Sequence, residues 1–222
     1  MSAAAGEAHA LSPREQRRLH HRHLSRMQIL DAAEEVFARK GFHDATIKEI
    51  AARAEFSVGG VYSFFTEKDD IFVQIFMRRG SEFMEGMRRV LEAPGGARDA
   101  MHRLASYQVG FFREHASFGR LFLRTSGVTL GDLDSKIDKT AVENYTEAMN
   151  LQSKMFRAGQ DAGELRDGDP EVLAMLFSGI VSAYQATDPL IVDSPIMNDG
   201  RTRTERMTLD ELHEILDAAF RA

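Results

Sequence analysis

The 222-residue chain contains no cysteine. That excludes disulfides, thiolate zinc sites, thiol-based redox sensing and cysteine nucleophiles. Tryptophan is absent too, and phenylalanine, with 15 copies, dominates the aromatics. No apolar run approaches the roughly 18 residues of a membrane span. The opening "MSAAAGEAHALSPREQRR" lacks the apolar core of a signal peptide. These absences lead us to expect a cytoplasmic protein without a membrane partner. There is no internal repeat and no segment that reads as a strand of any length. A phosphate-binding glycine loop after a strand, a His-Glu-x-x-His pair and an elbow serine are all missing, so we assign no catalytic residue and expect no enzyme. No metal or cofactor is expected either. His20, His21 and His23 lie close together, but adjacent histidines on a helix cannot all face one ion, and no carboxylate or thiolate cluster completes a ligand set.

What is present is helical pattern and uneven charge. The hydrophobic content of 43% supports one large or two small domains. The net charge of −6 is unevenly placed. Residues 1–66 carry nine Lys/Arg against eight Asp/Glu, and the acidic excess lies beyond them. Residues 10–30 hold five arginines against Glu15 alone. A flexible basic arm over residues 1–22 therefore precedes a nearly neutral head and an acidic body. "REQRRLHHRH" reads either as a solvated extension of the first helix or as an arm reaching DNA phosphates or the adjacent minor groove.

The first helix is expected from Leu24 to Lys40, with Met27, Leu30, Ala33 and Phe37 as its stripe and Gly41 at its end. "TIKE" at Thr46 is a capping box. Ile47, Ile50, Ala51 and Ala54 follow it at helical spacing. After "EFS", Val58, Val61, Tyr62 and Phe65 repeat that spacing, which makes a helix-turn-helix with Phe56 as the residue locking the pair. If those four are buried, Gly59, Gly60, Ser63 and Phe64 form an uncharged outer face with two side chains missing. Such a face suits close approach to a major groove. "TEKD" at Thr66 opens a fourth helix to about Leu91, and "APGGA" breaks the chain at Pro94 to Ala97.

The remainder reads as all helix. Segments run from about Arg98 to His115, Phe118 to Ser126 and Leu133 to Gly159. The last of these carries Ile137, Ala141, Tyr145, Met149, Gln152 and Phe156 roughly a turn apart. Asp169-Pro170-Glu171 starts a helix to about Tyr184. A long loop over residues 185–207 follows, and "TLDE" at Thr208 opens a terminal helix through Phe220. The last two helices are apolar on more than one face. Phe177, Ile180, Val181, Tyr184, Leu212, Leu216 and Phe220 are accordingly the candidates for a homodimer seam.

The run "ILDAAEEVFARKGFHDATIKEIAARAEFSVGGVYSFFTEKDDIF", Ile29 to Phe72, resembles the DNA-binding head of the tetracycline-repressor (TetR) family. The shared elements are "ARKGF", "ATIKEIA", a Ser-x-Gly-x-x-Tyr-x-x-Phe run and a lysine three residues on. The resemblance implies an all-α homodimer: a helix-turn-helix head over residues 23–68, joined by the fourth helix to a ligand-binding and dimerisation body over residues 69–222. It implies phosphate contacts from Thr46, Tyr62 and Lys68. It places Ser57, Val58, Gly59, Gly60 and Ser63 along the groove of an operator duplex. The sequence departs from the family at Gly60, where Thr or Ser is common, and at Phe64, where His or Tyr is common. Phe64 cannot donate to phosphate, and either touches a thymine methyl or sugar or packs on the fourth helix.

The resemblance further implies an apolar pocket for a small-molecule effector. Its candidates are Tyr107, Phe111, Phe122, Tyr145, Met149 and Gln152. The function expected is a ligand-responsive repressor released from a palindromic operator by a largely apolar effector. One alternative is a DNA-binding dimer controlled by a protein partner or by abundance. Another is a helical protein-interaction module that does not bind DNA.

Overall fold

The computed structural model describes residues 12–126, 135–192 and 207–222, and among them nine helices and no strand. They are α1 Pro13–Lys40, α2 Ile47–Arg53, α3 Val58–Tyr62, α4 Lys68–Glu92 and α5 Ala97–Glu114, then α6 Ala116–Ser126, α7 Ser135–Asp161, α8 Pro170–Thr187 and α9 Leu209–Phe220. Side chains are described outside residues 125–126 and 135–142, so Ile137 and Ala141 of the expected α7 stripe lie outside the described set. So do residues 1–11 of the expected arm and residues 193–206 of the expected loop.

The helix starts follow from local chemistry. Thr46 and Glu49 exchange the two hydrogen bonds of a capping box, as do Thr208 and Glu211. Asp169 accepts from the Glu171 amide ahead of Pro170. A third box was not expected: Ser12 accepts from the Glu15 amide, Glu15 reaches back to the Ser12 amide, and Pro13 sits at the first helical position. This start corrects the flexible arm over its described part, because residues 13–22 are the first turns of α1. Gln185 to Thr187 likewise continue α8 instead of opening the loop. The Thr66 amide donates to Asp70 at 3.1 Å, yet α4 begins only at Lys68, with Glu67 in the cap position and making no side-chain cap bond.

Two apolar cores stack along α4. The first joins Ile29, Val36 and Phe37 of α1, Ile50 of α2, Val61 and Phe65 of the α3 region, and Ile71, Phe72 and Ile75 of α4. It then continues into Phe111, Phe112, Phe118, Leu121 and Ile191. The second joins Met84 and Met87 of α4 to Leu104, Phe156, Phe177, Leu216 and Phe220. A boundary at residue 68/69 therefore does not separate two cores. Phe83 and Tyr107 pack against both, and the change from one core to the other falls beside them, midway along α4. Tyr107 can lie across α4 because Gly86 has no Cβ: one built there would come within 2.1 Å of the Tyr107 hydroxyl.

Polar links fix α4 against α1. Glu34 is 4% exposed and accepts from Arg78 at 3.0 Å and Arg79 at 2.9 Å. At the far end, Arg98 and His102 of α5 hold Asp217 of α9 at 2.5 and 2.8 Å. The Arg166 amide donates to the Phe220 carbonyl at 2.8 Å, tying the C-terminus to the α7–α8 turn.

Candidate nucleic-acid interface

The short α3 owes its placement to two neighbours. Glu55, in the turn before it, has φ of 61°, a left-handed conformation that costs a non-glycine residue roughly 1 kcal/mol. Ser57 caps α3 by accepting from the Gly60 amide at 3.0 Å. Val61 and Phe65 are the anchors, at 0% and 2% exposure. Val58 and Tyr62 were expected beside them in the core, but they are 40% and 53% exposed. The reason is length: α3 has only five residues, so just one strip of it reaches α1 and α2. Phe56 is half-buried and meets the Phe64 ring edge-on at 6.2 Å.

The outer face therefore consists of Ser57, Val58, Gly59, Tyr62 and Ser63, all exposed, with Gly60 at its margin. No charged side chain belongs to it. A Cβ on Gly59 would meet nothing within 4 Å, whereas one on Gly60 would lie 3.2 Å from Ser57 Oγ. Only Gly59 thus opens fully outward. Ser63 donates its hydroxyl proton to the Gly60 carbonyl at 2.7 Å. The Thr46 hydroxyl donates to Glu49 at 3.0 Å, so in this state neither proton is free for a base or phosphate.

Two further candidates are placed differently from expectation. Lys68 points its ammonium at the carbonyls of Phe42, His43 and Ala45, at 2.8, 3.1 and 3.0 Å. Those three acceptors use all its protons, so the expected phosphate contact is replaced by a clamp on the α1–α2 turn. Phe64 is half-buried, packs against the first core, and meets Phe56 and Arg22. The Arg22 guanidinium carbon stands 5.7 Å from the Phe64 ring centre. Arg26 lies over the Phe65 ring at 4.3 Å and donates to the Phe64 carbonyl at 2.9 Å. These two contacts bring α1 alongside the end of α3, and sequence periodicity did not reveal them.

The effector candidates differ in burial and in partners. Tyr107 donates to the Phe83 carbonyl at 2.9 Å, and burial pushes its phenol up to about 12. Its ring, with those of Phe83, Phe111, Phe112, Phe118 and Phe122, forms a continuous aromatic cluster. Gln152 is buried on α7 and accepts from Ser178 of α8 at 2.8 Å. Met149 is half-buried, and Tyr145 is 55% exposed and points away from the core. A surface cleft of about 390 Å³ lies instead beside Val172, Leu176, Ile180 and Ala219.

The dimer candidates need correction. Phe177, Val181, Tyr184, Leu212, Leu216 and Phe220 are buried within the protomer, and Ile180 is half-buried at the rim of the cleft. The apolar residues left outside are Val172, Met175 and Leu176 on α8 and Ile215 on α9. Among the described residues no cluster of His, Asp and Glu could hold a metal ion, and no helix is long and apolar enough to cross a membrane.

Known proteins share this organisation. Residues 29–75 match the family model described as bacterial regulatory proteins, tetR family. The fatty acid metabolism regulator protein of Bacillus subtilis is 28% identical over 145 residues, 64% of this chain and 71% of that protein. The transcriptional activator FasR of Mycolicibacterium smegmatis is 33% identical over 127 residues, 56% of each chain. The crystal structure of FadR from Bacillus subtilis in complex with stearoyl-CoA superposes with a TM-score of 0.67 at 21% identity, over 86% of this chain and 96% of that one. At that identity the likeness is one of fold. Residues 29–75 thus carry the helix-turn-helix of the tetR family of bacterial regulatory proteins, and the chain shares over most of its length the fold of such regulators.

Proposed function

We propose that the protein is a repressor that binds a palindromic operator as a homodimer and is released by a small, largely apolar effector. The observation that carries the DNA end is the α3 face: exposed, uncharged, and open above Gly59. Backbone and short side chains there can approach a groove floor closely. The head, residues 23–68, presents this face. Residues 69–222 form the regulatory body, and Tyr107, Phe111, Phe122, Met149 and Gln152 remain the residues nearest an effector that opens its interior. The apolar row of α8, with Ile215, is the seam between subunits. It supports a two-fold packing of α8 and α9 in which polar groups would gain nothing.

The mechanism is a two-state dimer. In one state the two α3 helices stand about 34–36 Å apart and enter successive major grooves. Effector binding favours a second state, transmitted along α4, whose side chains belong to both cores. By linkage, effector and DNA then weaken each other by the same factor. An acyl thioester is the effector class we favour. The names of the Bacillus subtilis relative and of the stearoyl-CoA complex support it, as does the aromatic and Met-rich body.

The test uses a duplex selected by the protein from a random-sequence pool. Gly59→Glu, whose Cβ clashes with nothing, should abolish binding while the fold is retained. Undiminished binding overturns the α3 assignment. Stearoyl-CoA should release the duplex and coenzyme A alone should not; no release by either removes the effector class. Transcription from a promoter carrying the selected site should rise when the protein is deleted, and a fall rejects repression.

A further inference from the structure

Residues 13–22 of the segment expected to be a flexible arm are helical, and their arginines are ordered by that helix. Arg14, Arg18, Arg22 and Arg26 recur at i+4 along α1, and Arg17 and His21 form the adjoining row. Arg14, Arg17, Arg18, His21 and Arg22 are all exposed. Among the described residues none of these arginines has a carboxylate partner. By contrast, Arg53 is paired with Glu35, and Arg78 and Arg79 with Glu34. Glu15, the one acid in this stretch, spends its carboxylate on the Ser12 cap. The row begins at α3, because Arg26 and Arg22 rest on Phe65 and Phe64. From Arg22 it projects about 12 Å further to Arg14, at 1.5 Å per residue.

We propose that this rigid basic ridge is a second DNA-contacting surface, which binds the phosphate backbone flanking the sequence that α3 enters. The proposal rests on the α3 reading above. Charge complementarity selects the partner: on a protein of net charge −6, arginines without a carboxylate partner run in a row away from the end of the neutral α3. A helix anchored at Phe64 cannot wrap into a groove as a loose arm would. It reaches phosphates lying beyond the end of α3, so its contribution depends on how far the duplex extends. Because α3 itself carries no charged side chain, the ridge supplies a large share of the salt-dependent affinity.

The experiment compares two duplexes carrying the same selected site. One is trimmed to the footprint of the α3 helices and one has ten-base-pair flanks. The wild-type protein should prefer the longer duplex. The triple variant Arg14→Gln, Arg17→Gln, Arg18→Gln should lose that preference, bind the long duplex roughly tenfold or more weakly near 0.1 M salt, and show a salt slope shallower by about 2 to 5. The triple Lys variant should retain wild-type behaviour. Leu19→Pro keeps every charge but interrupts the helix, and should behave like the Gln variant. Wild-type slope in the Gln variant overturns the ridge, and retained binding in Leu19→Pro overturns its rigidity. Gln-variant loss of binding to phosphatidylglycerol vesicles, with DNA binding untouched, assigns the ridge to membranes instead and also overturns the proposal. These failures leave Gly59→Glu still unable to bind either duplex. If Gly59→Glu binds both normally, the α3 reading has failed instead.

Discussion

The Lys68 ammonium lies 2.8 Å from the Phe42 carbonyl and 4.6 Å from the centre of the Phe42 ring. One side chain at the start of α4 thereby closes the turn that leads from α1 to α2, and sets the orientation of the helix-turn-helix. Lys68→Met should remove three charge-assisted hydrogen bonds and cost about 1.5–3 kcal/mol in urea denaturation. If stability is unchanged while operator affinity falls, the residue serves phosphate instead and the clamp is refuted.

Glu34 makes the corresponding link further along α4. Its carboxylate is buried and shared by Arg78 and Arg79. Without it Arg78 keeps only the exposed Asp31, and Arg79 only the exposed Glu82 and the more distant Asp31, so Glu34→Ala should destabilise by about 3 kcal/mol. In a chain of this size that lowers the thermal midpoint by about 10 °C. A change within about 1 °C would mean that the pairing contributes little to holding α1 on α4.

His102 and His213 stack with centroids 4.5 Å apart and planes 4° from parallel. Burial, and then the adjacent His102, hold His213 below its ordinary value of 6.5, against the pull of Asp210 and Asp217. Folded His213 is thus neutral where the unfolded chain already takes up a proton. The stability it contributes is fully present above 6.5 and is lost as pH falls below that value toward its folded pKa. The urea midpoint of the wild type should therefore drop from pH 7.5 to pH 5.5 by more than that of His213→Gln. Equal drops would exclude the histidine. Asp217 does not confound this window, since the Arg98 contact holds it down at about 2.

The helix-turn-helix was legible because its signals are local. Thr46 and Glu49 stand three residues apart, Val61 and Phe65 four, and each pair fixes its own geometry. The start of α1 was legible in principle. Ser12-Pro13-Arg14-Glu15 is a capping box followed by no apolar stripe, so periodicity left a helical extension and a loose arm both open. Long-range placement was not legible. Nothing near Lys68 in the chain points to the carbonyl of Phe42, and Arg22 meets Phe64 across 42 residues. Helix α8 shows the limit most plainly: apolar nearly all round, it must be covered on every side, but its sequence does not say which side is covered by its own chain.

That distinction can be measured. Phe177 is 0% exposed and Met175 is 58% exposed, two positions apart on α8. If α8 forms the subunit seam, Met175→Glu together with Leu176→Glu puts two charges per protomer into a desolvated interface. The variant should sediment as a folded monomer and lose operator affinity, because two half-sites are no longer held by one molecule. Phe177→Ala acts differently. It opens a cavity beside Phe156 and Phe220, whose rings lie 6.2 and 6.4 Å away, and should cost about 3–5 kcal/mol while any surviving folded protein remains dimeric. Analytical ultracentrifugation with circular dichroism separates the two effects. A Met175/Leu176 variant that stays dimeric would move the seam off this face of α8, and a Phe177→Ala variant that is fully folded yet monomeric would restore the buried residue to the interface.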